Sequence, residues 1–242
     1  MRAELFSTEQ LEHHGEFLAG THVPASDREG PDRLLPRLDA NEEVLRRVFE
    51  QLTQAVLASR RVTPASEWLL DNFYLVEEQV RTARRHLPRN YSRELPRLAT
   101  GPSAGFPRVY DLALELISHG YGRVDLDDLT RFITAYQRTA TLNLGELWAV
   151  PIMLRLALIE NLRRVALRIS IGRDKRDLAA DWARQMIVTV DEDPKSLILV
   201  IADMARSNPP MSSSFVSELV RELQGQNPSL ALALNWVEQR LV

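Results

Sequence analysis

Thr63, Asp193 and Asn227 can each cap a helix, and each is followed directly by proline in this chain. A capping side chain binds a free N–H at the start of a helix, and proline loses nothing at the first helical position because its N–H would be unpaired there. No stretch shows the sustained apolar–polar alternation that indicates a half-buried strand. We therefore predict an all-α protein, a bundle of about nine helices joined by short loops.

The most apolar of these helices is predicted over residues 143–170, beginning with the capping-box pair Asn143 and Glu146. Its apolar residues lie on nearly all sides, which is typical of the central, most buried helix of a bundle. Pro151 lies inside this helix. We expect the helix to be kinked or broken just before that proline.

Capping signals also predict helix starts at Asp39 and Asp125 and a helix end at Gly120. The acidic runs at residues 125–128 and 191–193 contain the D-x-D spacing used by many sugar-nucleotide transferases. Each run opens a predicted helix, where carboxylates offset the helix dipole. We therefore interpret both runs as helix caps and predict no metal or nucleotide ligands in them.

Arginine outnumbers lysine 28 to 2 in this chain. One explanation is a codon bias, and the other is that arginine is needed for bidentate pairing with carboxylates between packed helices. Both remain open. One pair of this kind is expected between Glu160 and Arg164, which lie one helical turn apart.

The net charge of −3 provides no basic field, so nucleic acid is not an expected partner. Cysteine is absent, which excludes disulfides and thiol chemistry. The charge-free apolar run at residues 147–154 is too short for a membrane span, which needs about 20 apolar residues. No span is therefore predicted.

Residues 1–33 are polar and lack a sustained period, apart from one short helix expected between Thr8 and His14. We predict an N-terminal arm of residues 1–33 followed by a helical domain of residues 34–242. The last residues keep a helical pattern up to Val242 without a polar tail, so we expect the domain to be a fragment of a longer chain.

Residues 68–88 combine an apolar series with a charged one. The apolar series recurs every three or four residues and predicts a packed helix face: Leu69, Phe73, Val76, Val80, Ala83 and Leu87. The polar series has the same spacing: Asp71, Tyr74, Glu78, Arg81 and Arg85. Three interpretations of the polar face remain open: a buried ion-pair network between helices, a solvated face, and a face that contacts a partner or ligand.

The candidate network reaches from this helix to the loop that follows it and to the central helix. Its members are Asp71, Tyr74, Glu77, Glu78, Arg81, Arg84, Arg85, Tyr91, Arg93, Glu94, Glu160, Arg163 and Arg164. We expect Glu78, Arg81 and Arg85 to pair with the loop at residues 90–97 or with the helix segment at residues 160–164.

Neither a catalytic residue nor a metal or cofactor site is predicted. The chain has no G-x-S-x-G motif. Its histidines lie in the predicted arm or at helix ends: His13, His14, His22, His86 and His119. One functional alternative that remains open is an independent enzyme with a site among residues 77–85 and 92–97.

Three segments, residues 68–98, 107–125 and 144–166, resemble the N-terminal region of bacterial cyclic β-1,2-glucan synthases. The resemblance covers residues 34–242 and leaves residues 1–33 outside. It implies a parent enzyme in the bacterial inner membrane that takes glucose from UDP-glucose, builds a β-1,2-linked chain on itself, and releases that chain as a ring. No catalytic residue of the family can be placed on this chain, because the transferase and phosphorylase-like parts lie elsewhere in such enzymes.

The resemblance implies a non-catalytic helical domain on the cytoplasmic side of that membrane. Such a domain would act as a scaffold or regulator of the transferase domain, with the other domains of the polypeptide as partners and no cofactor of its own. The alternative is a module that binds the growing β-1,2-glucan. In that case Trp68, Tyr91 and Trp148 are the candidates for stacking on sugar rings, whereas otherwise these aromatic residues are expected in the core.

Overall fold

A computed structural model describes residues 5–25, 30–88, 91–120 and 122–241. These residues form ten α-helices and no strand, which confirms the all-α prediction. The helices are α1 Thr8–Thr21, α2 Leu34–Leu57, α3 Pro64–Asp71, α4 Phe73–Arg85, α5 Arg108–His119, α6 Leu126–Gln137, α7 Leu144–Glu192, α8 Leu197–Ser207, α9 Ser213–Leu223 and α10 Ala231–Leu241. The chain divides into two compact units, Met1–Leu167 and Arg168–Val242, and α7 contributes residues to both.

The helix starts predicted at Thr63, Asp125, Asp193 and Asn227 are confirmed. Thr63 accepts a hydrogen bond from a backbone N–H three residues on, and proline occupies the first position of α3. Asp193 and Asn227 accept equivalent bonds two residues on and open short 3₁₀ turns that lead into α8 and α10. Asp125 caps α6 in the same way, and α5 ends at Gly120 as predicted.

The predicted start of α2 at Asp39 is wrong, because the helix already begins at Leu34. The carboxylate of Asp32 accepts a hydrogen bond from Leu34 N at 3.0 Å and so binds an N–H at the helix start. Leu34 and Leu38 are both buried. They extend the apolar face of α2 toward its N-terminus, and their burial outweighs the local signal at Asp39.

The helix containing Pro151 is not broken, and α7 runs without interruption through both segments that were predicted as separate helices. Its start is the predicted capping box, because Asn143 and Glu146 exchange hydrogen bonds at 2.9 Å in each direction. Pro151 lies on the exposed side of α7. The carbonyl of Leu147, which loses its N–H partner to the proline ring, can therefore be hydrated.

The N-terminal helix is longer than predicted and ends at Thr21. Its buried residues include Leu11, Gly15 and Leu18, which share one face, and α1 packs with that face against α6. A side chain on Gly15 would come within 2.8 Å of the Phe132 carbonyl oxygen, so only glycine allows this close approach. The division into an arm of residues 1–33 and a domain of residues 34–242 stays a prediction.

The second unit is built from the later part of α7 together with α8, α9 and α10. Its core is formed by buried side chains that include Met186, Met204, Phe215, Leu219 and Val237. Within the described ranges, no helix is long and apolar enough to cross a membrane.

Candidate functional site: buried ion pairs of the first unit

The most buried ion pair of the first unit joins Arg108 to Glu146. Arg108 Nε lies 2.6 Å from Glu146 Oε1, and Arg108 Nη2 lies 2.8 Å from Glu146 Oε2, so the guanidinium binds the carboxylate with two parallel hydrogen bonds. Arg108 Nη2 also donates to the carbonyl of Thr141 at 2.7 Å. Both charged side chains are buried. This geometry is the strong, bidentate form of an arginine–carboxylate pair.

Local structure brings these two residues together. Arg108 is the first residue of α5, and Glu146 belongs to the capping box at the first turn of α7. The hydrogen bonds that Arg108 donates to Glu146 raise the pKa of Arg108, although burial opposes that rise. The guanidinium therefore keeps its charge, and its bonds to Glu146 tie the N-terminal ends of the two helices to each other.

A second carboxylate, that of Glu160 in α7, is bound by arginines from two helices. Arg37 of α2 donates to it through Nε at 2.9 Å and through Nη2 at 2.6 Å. Arg163 donates at 2.7 Å from the next turn of α7. Arg164 Nε lies 3.8 Å from the same carboxylate, which confirms the pairing predicted for these two residues.

Burial on its own raises the pKa of the Glu160 carboxyl. Hydrogen bonds from Arg163, Arg37 and Asn41 outweigh burial, so the pKa is lowered in the folded protein. Burial raises the pKa of the neighbouring Tyr110 to about 12, and the charge of Glu160 adds to that rise. The cluster therefore holds an ionised carboxylate beside a protonated phenol at neutral pH.

A third polar group links α1 to α5 and α6. His22 Nε2 lies 3.0 Å from Asp111 Oδ2, and His22 Nδ1 lies 3.1 Å from the hydroxyl of Tyr136. Ser103 donates to the other oxygen of Asp111. Burial raises the pKa of Tyr136, and the neighbouring Arg108 opposes that rise, so this group adjoins the Arg108 pair.

These groups fix helices in place and do not form a nucleophile with its base. In a catalytic triad the imidazole faces the serine hydroxyl. Here Ser103 and His22 both bind the carboxylate of Asp111. Among the described residues, the buried glutamates are Glu146 and Glu160, and the carboxylate of each is paired with arginine. The arrangement is that of a structural network between helices.

The predicted apolar series is confirmed, since all of its members are buried: Leu69, Phe73, Val76, Val80, Ala83 and Leu87. The segment is two helices, α3 and α4, and Asn72 lies between them. Phe73 stacks on Phe49 of α2 with ring centroids 4.2 Å apart. This contact places α4 against α2.

The predicted polar series lies on the exposed side of these helices. Exposed members are Asp71, Tyr74, Glu77, Glu78, Arg81, Arg84 and Arg85. The prediction that Glu78, Arg81 and Arg85 pair with other elements is wrong, because within the described residues none of the three forms an ion pair. Because the apolar series is buried, the polar series on the opposite side of the helix faces solvent. Its charged groups are hydrated there and need no ion-pair partner from another helix. Arg84 does pair, with Asp39 at 2.6 Å and Glu42 at 2.7 Å, at the surface.

The loop members of the candidate network are only partly buried. Arg93 and Glu94 are exposed, while Tyr91 is half-buried. Burial raises the pKa of Tyr91, and the charge of Glu94 adds to that rise. Of the predicted network, the structure therefore brings Glu160, Arg163 and Arg164 together and leaves the loop residues apart from them.

The candidate stacking residues Trp68 and Trp148 are 55% and 74% exposed, so the expectation that they belong to the core is wrong. Arg37 and Arg108, which carry the two buried pairs, were not predicted as site residues. A partial signal existed for Arg108, which is a charge at the start of a predicted helix whose apolar residues include Val109, Leu112 and Ala113. A charge in such a setting indicates a buried partner.

Comparison with known proteins adds a relationship by sequence. No protein-family profile matches the chain. Over 241 residues the chain is 33% identical to cyclic beta-(1,2)-glucan synthase NdvB of Rhizobium meliloti (strain 1021), and it spans 8% of the length of that relative. The match lies in the N-terminal part of the relative and confirms the predicted resemblance. It includes residues 1–33, so the expectation that these lie outside is wrong.

Proposed function

Because this chain is homologous to the N-terminal part of a cyclic β-1,2-glucan synthase, we propose that it is a non-catalytic helical region of such an enzyme. In this proposal the parent polypeptide builds β-1,2-glucan from UDP-glucose at the bacterial inner membrane. The region lies on the cytoplasmic side and acts as a scaffold or regulator of the transferase domain. Its partners are the other domains of the same polypeptide.

The observation that carries the proposal is the use of the buried charges. Glu146 is held by Arg108, and Glu160 is held by Arg37 and Arg163. A general acid or base must be able to exchange its proton with a substrate. Carboxylates that are bound by two hydrogen bonds from guanidinium groups are stabilised in their ionised form and serve to position helices.

The exposed face of α4 is the best-supported contact surface for the rest of the enzyme. Tyr74, Glu78, Arg81 and Arg85 recur every three or four residues and are all exposed. We refer to these four residues as the α4 polar face. Tyrosine and arginine are enriched where proteins bind each other. Their concentration on one exposed face fits a docking role.

Two measurements test the proposal. The 242-residue chain, shown to be folded by circular dichroism, should incorporate no labelled glucose from UDP-glucose. Measurable incorporation by the chain alone would contradict a non-catalytic role. A chimera of the Rhizobium meliloti enzyme that carries this chain in place of its own matched segment should retain glucose incorporation, whereas the enzyme with that segment deleted should lose it.

A second candidate function, binding of the growing glucan, is favoured by the exposure of Trp68 and Trp148. An exposed indole offers an apolar face for sugar stacking. Titration of the chain with β-1,2-glucan oligomers, followed by calorimetry and by the indole N–H signals in NMR, tests this function. Perturbation of the Trp68 or Trp148 signal, with no change at Trp236 beneath Arg240, would support it. No response at millimolar oligomer would rule it out.

A further inference from the structure

Three side chains from two helices converge at one point of the first unit. His14 lies on α1, while Glu115 and His119 lie one turn apart on α5. The ligand atoms of the three side chains all lie within 4.8 Å of one another. Glu115 Oε2 is central, at 2.8 Å from His14 Nε2 and 3.4 Å from His119 Nε2. Two imidazole nitrogens thus point at one carboxylate oxygen.

These separations match those between ligands of a small metal ion. Zinc binds histidine nitrogen and carboxylate oxygen at about 2.0–2.2 Å with tetrahedral geometry, so neighbouring ligand atoms lie about 3.3–3.6 Å apart. The separations of 2.8 and 3.4 Å are close to that range. An ion bound between the three atoms requires the 2.8 Å contact to lengthen by about 0.5 Å, to the lower end of that range.

The surroundings hold the two rings and still leave them accessible. Phe6 stacks on the His119 ring with centroids 3.9 Å apart and planes at 5°, and it meets the His14 ring edge-on at 5.3 Å. The side chains of His14, Glu115 and His119 are 18%, 33% and 15% exposed, so an ion can reach them from solvent. An apolar shell of this kind fixes ligand rings and strengthens ion–ligand attraction.

Glu115 differs from the two buried glutamates of the first unit in the side chains with which it pairs. Glu146 and Glu160 bind arginine. The ion pairs of Glu115 that the structure describes are with His14 and His119 instead. The carboxylate of Glu115 and the two imidazoles together provide the oxygen and nitrogen donors that zinc-class ions prefer.

We propose that His14, Glu115 and His119 bind a divalent transition-metal ion of the zinc class, with water at the open fourth position. The ion ties the N-terminal helix α1 to α5 and thereby fixes α1 within the first unit. This site goes beyond the proposed function, because it concerns the stability and assembly of this chain and is independent of any glucan chemistry.

The test uses the tag-free 242-residue chain and Zn²⁺ alone, titrated by calorimetry, with Co²⁺ absorption bands as a second readout. We expect one ion per chain and a rise in the thermal unfolding midpoint with added Zn²⁺. The double variant His14→Ala/His119→Ala should weaken binding at least about tenfold. His13→Ala is the matched control and should bind as the unaltered chain does, because His13 is exposed on α1 and bonds to the Glu9 carbonyl at 2.9 Å, away from the cluster.

Binding that the double variant retains at full strength would overturn the proposal, as would the absence of any one-to-one binding. Should circular dichroism show the double variant unfolded, Glu115→Gln decides instead, since it keeps the shape of the side chain and removes its charge. Weakened binding in that variant supports the site, and unchanged binding overturns it. Glucose incorporation by the chimera is a separate readout, so failure of this site leaves the proposed function unaffected.

Discussion

Arg108 and Glu146 form a bidentate ion pair in the interior of the first unit, with nitrogen–oxygen distances of 2.6 and 2.8 Å. The same carboxylate accepts the backbone N–H of Asn143 at 2.9 Å. One side chain therefore caps α7 and anchors α5. Because the carboxylate is buried, water cannot reach it to replace either partner, so the two helix starts depend on each other.

Removing one member of this pair is expected to be strongly destabilising. Arg108→Met leaves the Glu146 charge buried without its partner, so the free energy of unfolding should fall by about 3–5 kcal/mol. Urea unfolding followed by circular dichroism measures the loss. Arg47→Ala is the control, because Arg47 pairs with Glu43 on the exposed side of α2, where the loss should be below about 1 kcal/mol. Equal losses in both variants would contradict the predicted role of burial.

The lowered pKa of Glu160 predicts a loss of stability in acid. A carboxyl whose folded-state pKa lies below its unfolded value of about 4.3 contributes stability above that value and loses it as the pH falls through the folded pKa. Glu160→Gln should therefore be less stable than the unaltered chain at pH 7, and the difference should shrink in the acid range. A difference that stays constant between pH 7 and pH 3 would show that Glu160 acts through shape and not through charge.

The raised pKa of Tyr110, about 12, predicts a loss of stability in alkali. A group whose folded-state pKa is raised contributes stability below its unfolded pKa, near 10 for tyrosine, and that stability is lost as the pH rises through the folded value. The free energy of unfolding should therefore decline above about pH 10. In Tyr110→Phe the decline in the free energy of unfolding that Tyr110 causes should be absent. A pH titration followed by tyrosinate absorbance should also show one fewer tyrosine that ionises above its ordinary pKa.

Glycines of α1 provide a matched pair of substitutions. Gly15→Ala brings a methyl group to 2.8 Å from the Phe132 carbonyl oxygen and should cost about 1–3 kcal/mol of stability. Gly20→Ala meets nothing within 4 Å and should be neutral or stabilising by up to about 1 kcal/mol. Thermal unfolding of the two variants tests whether α1 is packed on α6. If both substitutions stabilise the chain, α1 is not packed as described.

Most of the predicted helix starts could be read from the sequence because the hydrogen bonds of a cap are local. Thr63, Asp125, Asp193 and Asn227 each bind an N–H within three residues, so the signal and its partner share one short segment. The capping box of Glu146 was predictable for the same reason. The start of α2 was missed because burial of Leu34 outweighed the local signal at Asp39.

The buried pairs were not predictable in full because their partners are far apart in sequence. Arg108 lies 38 residues from Glu146, and Arg37 lies 123 residues from Glu160. The spacing of apolar residues shows which face of a helix is buried, but it does not show which other helix packs against that face. Only the pair of Glu160 with Arg164, one turn apart, was recovered, because both residues lie on the same helix.

The proposed docking role of the α4 polar face gives the most direct test of the proposed function. In the chimera with the Rhizobium meliloti enzyme, Arg81→Ala/Arg85→Ala should lower glucose incorporation about fivefold, the equivalent of roughly 1 kcal/mol of lost contact energy. The control Arg46→Ala/Arg47→Ala removes arginines that are already paired on α2 with Glu42 and Glu43, so incorporation should stay unchanged.

Stability of the isolated chain separates docking from folding, since Arg81 and Arg85 are exposed and their loss should change the free energy of unfolding by no more than about 0.5 kcal/mol. The decisive measurement is glucose incorporation by the two chimera variants side by side. We expect reduced incorporation for the α4 variant alone. Equal incorporation by both variants would contradict a contact between the α4 polar face and the rest of the enzyme.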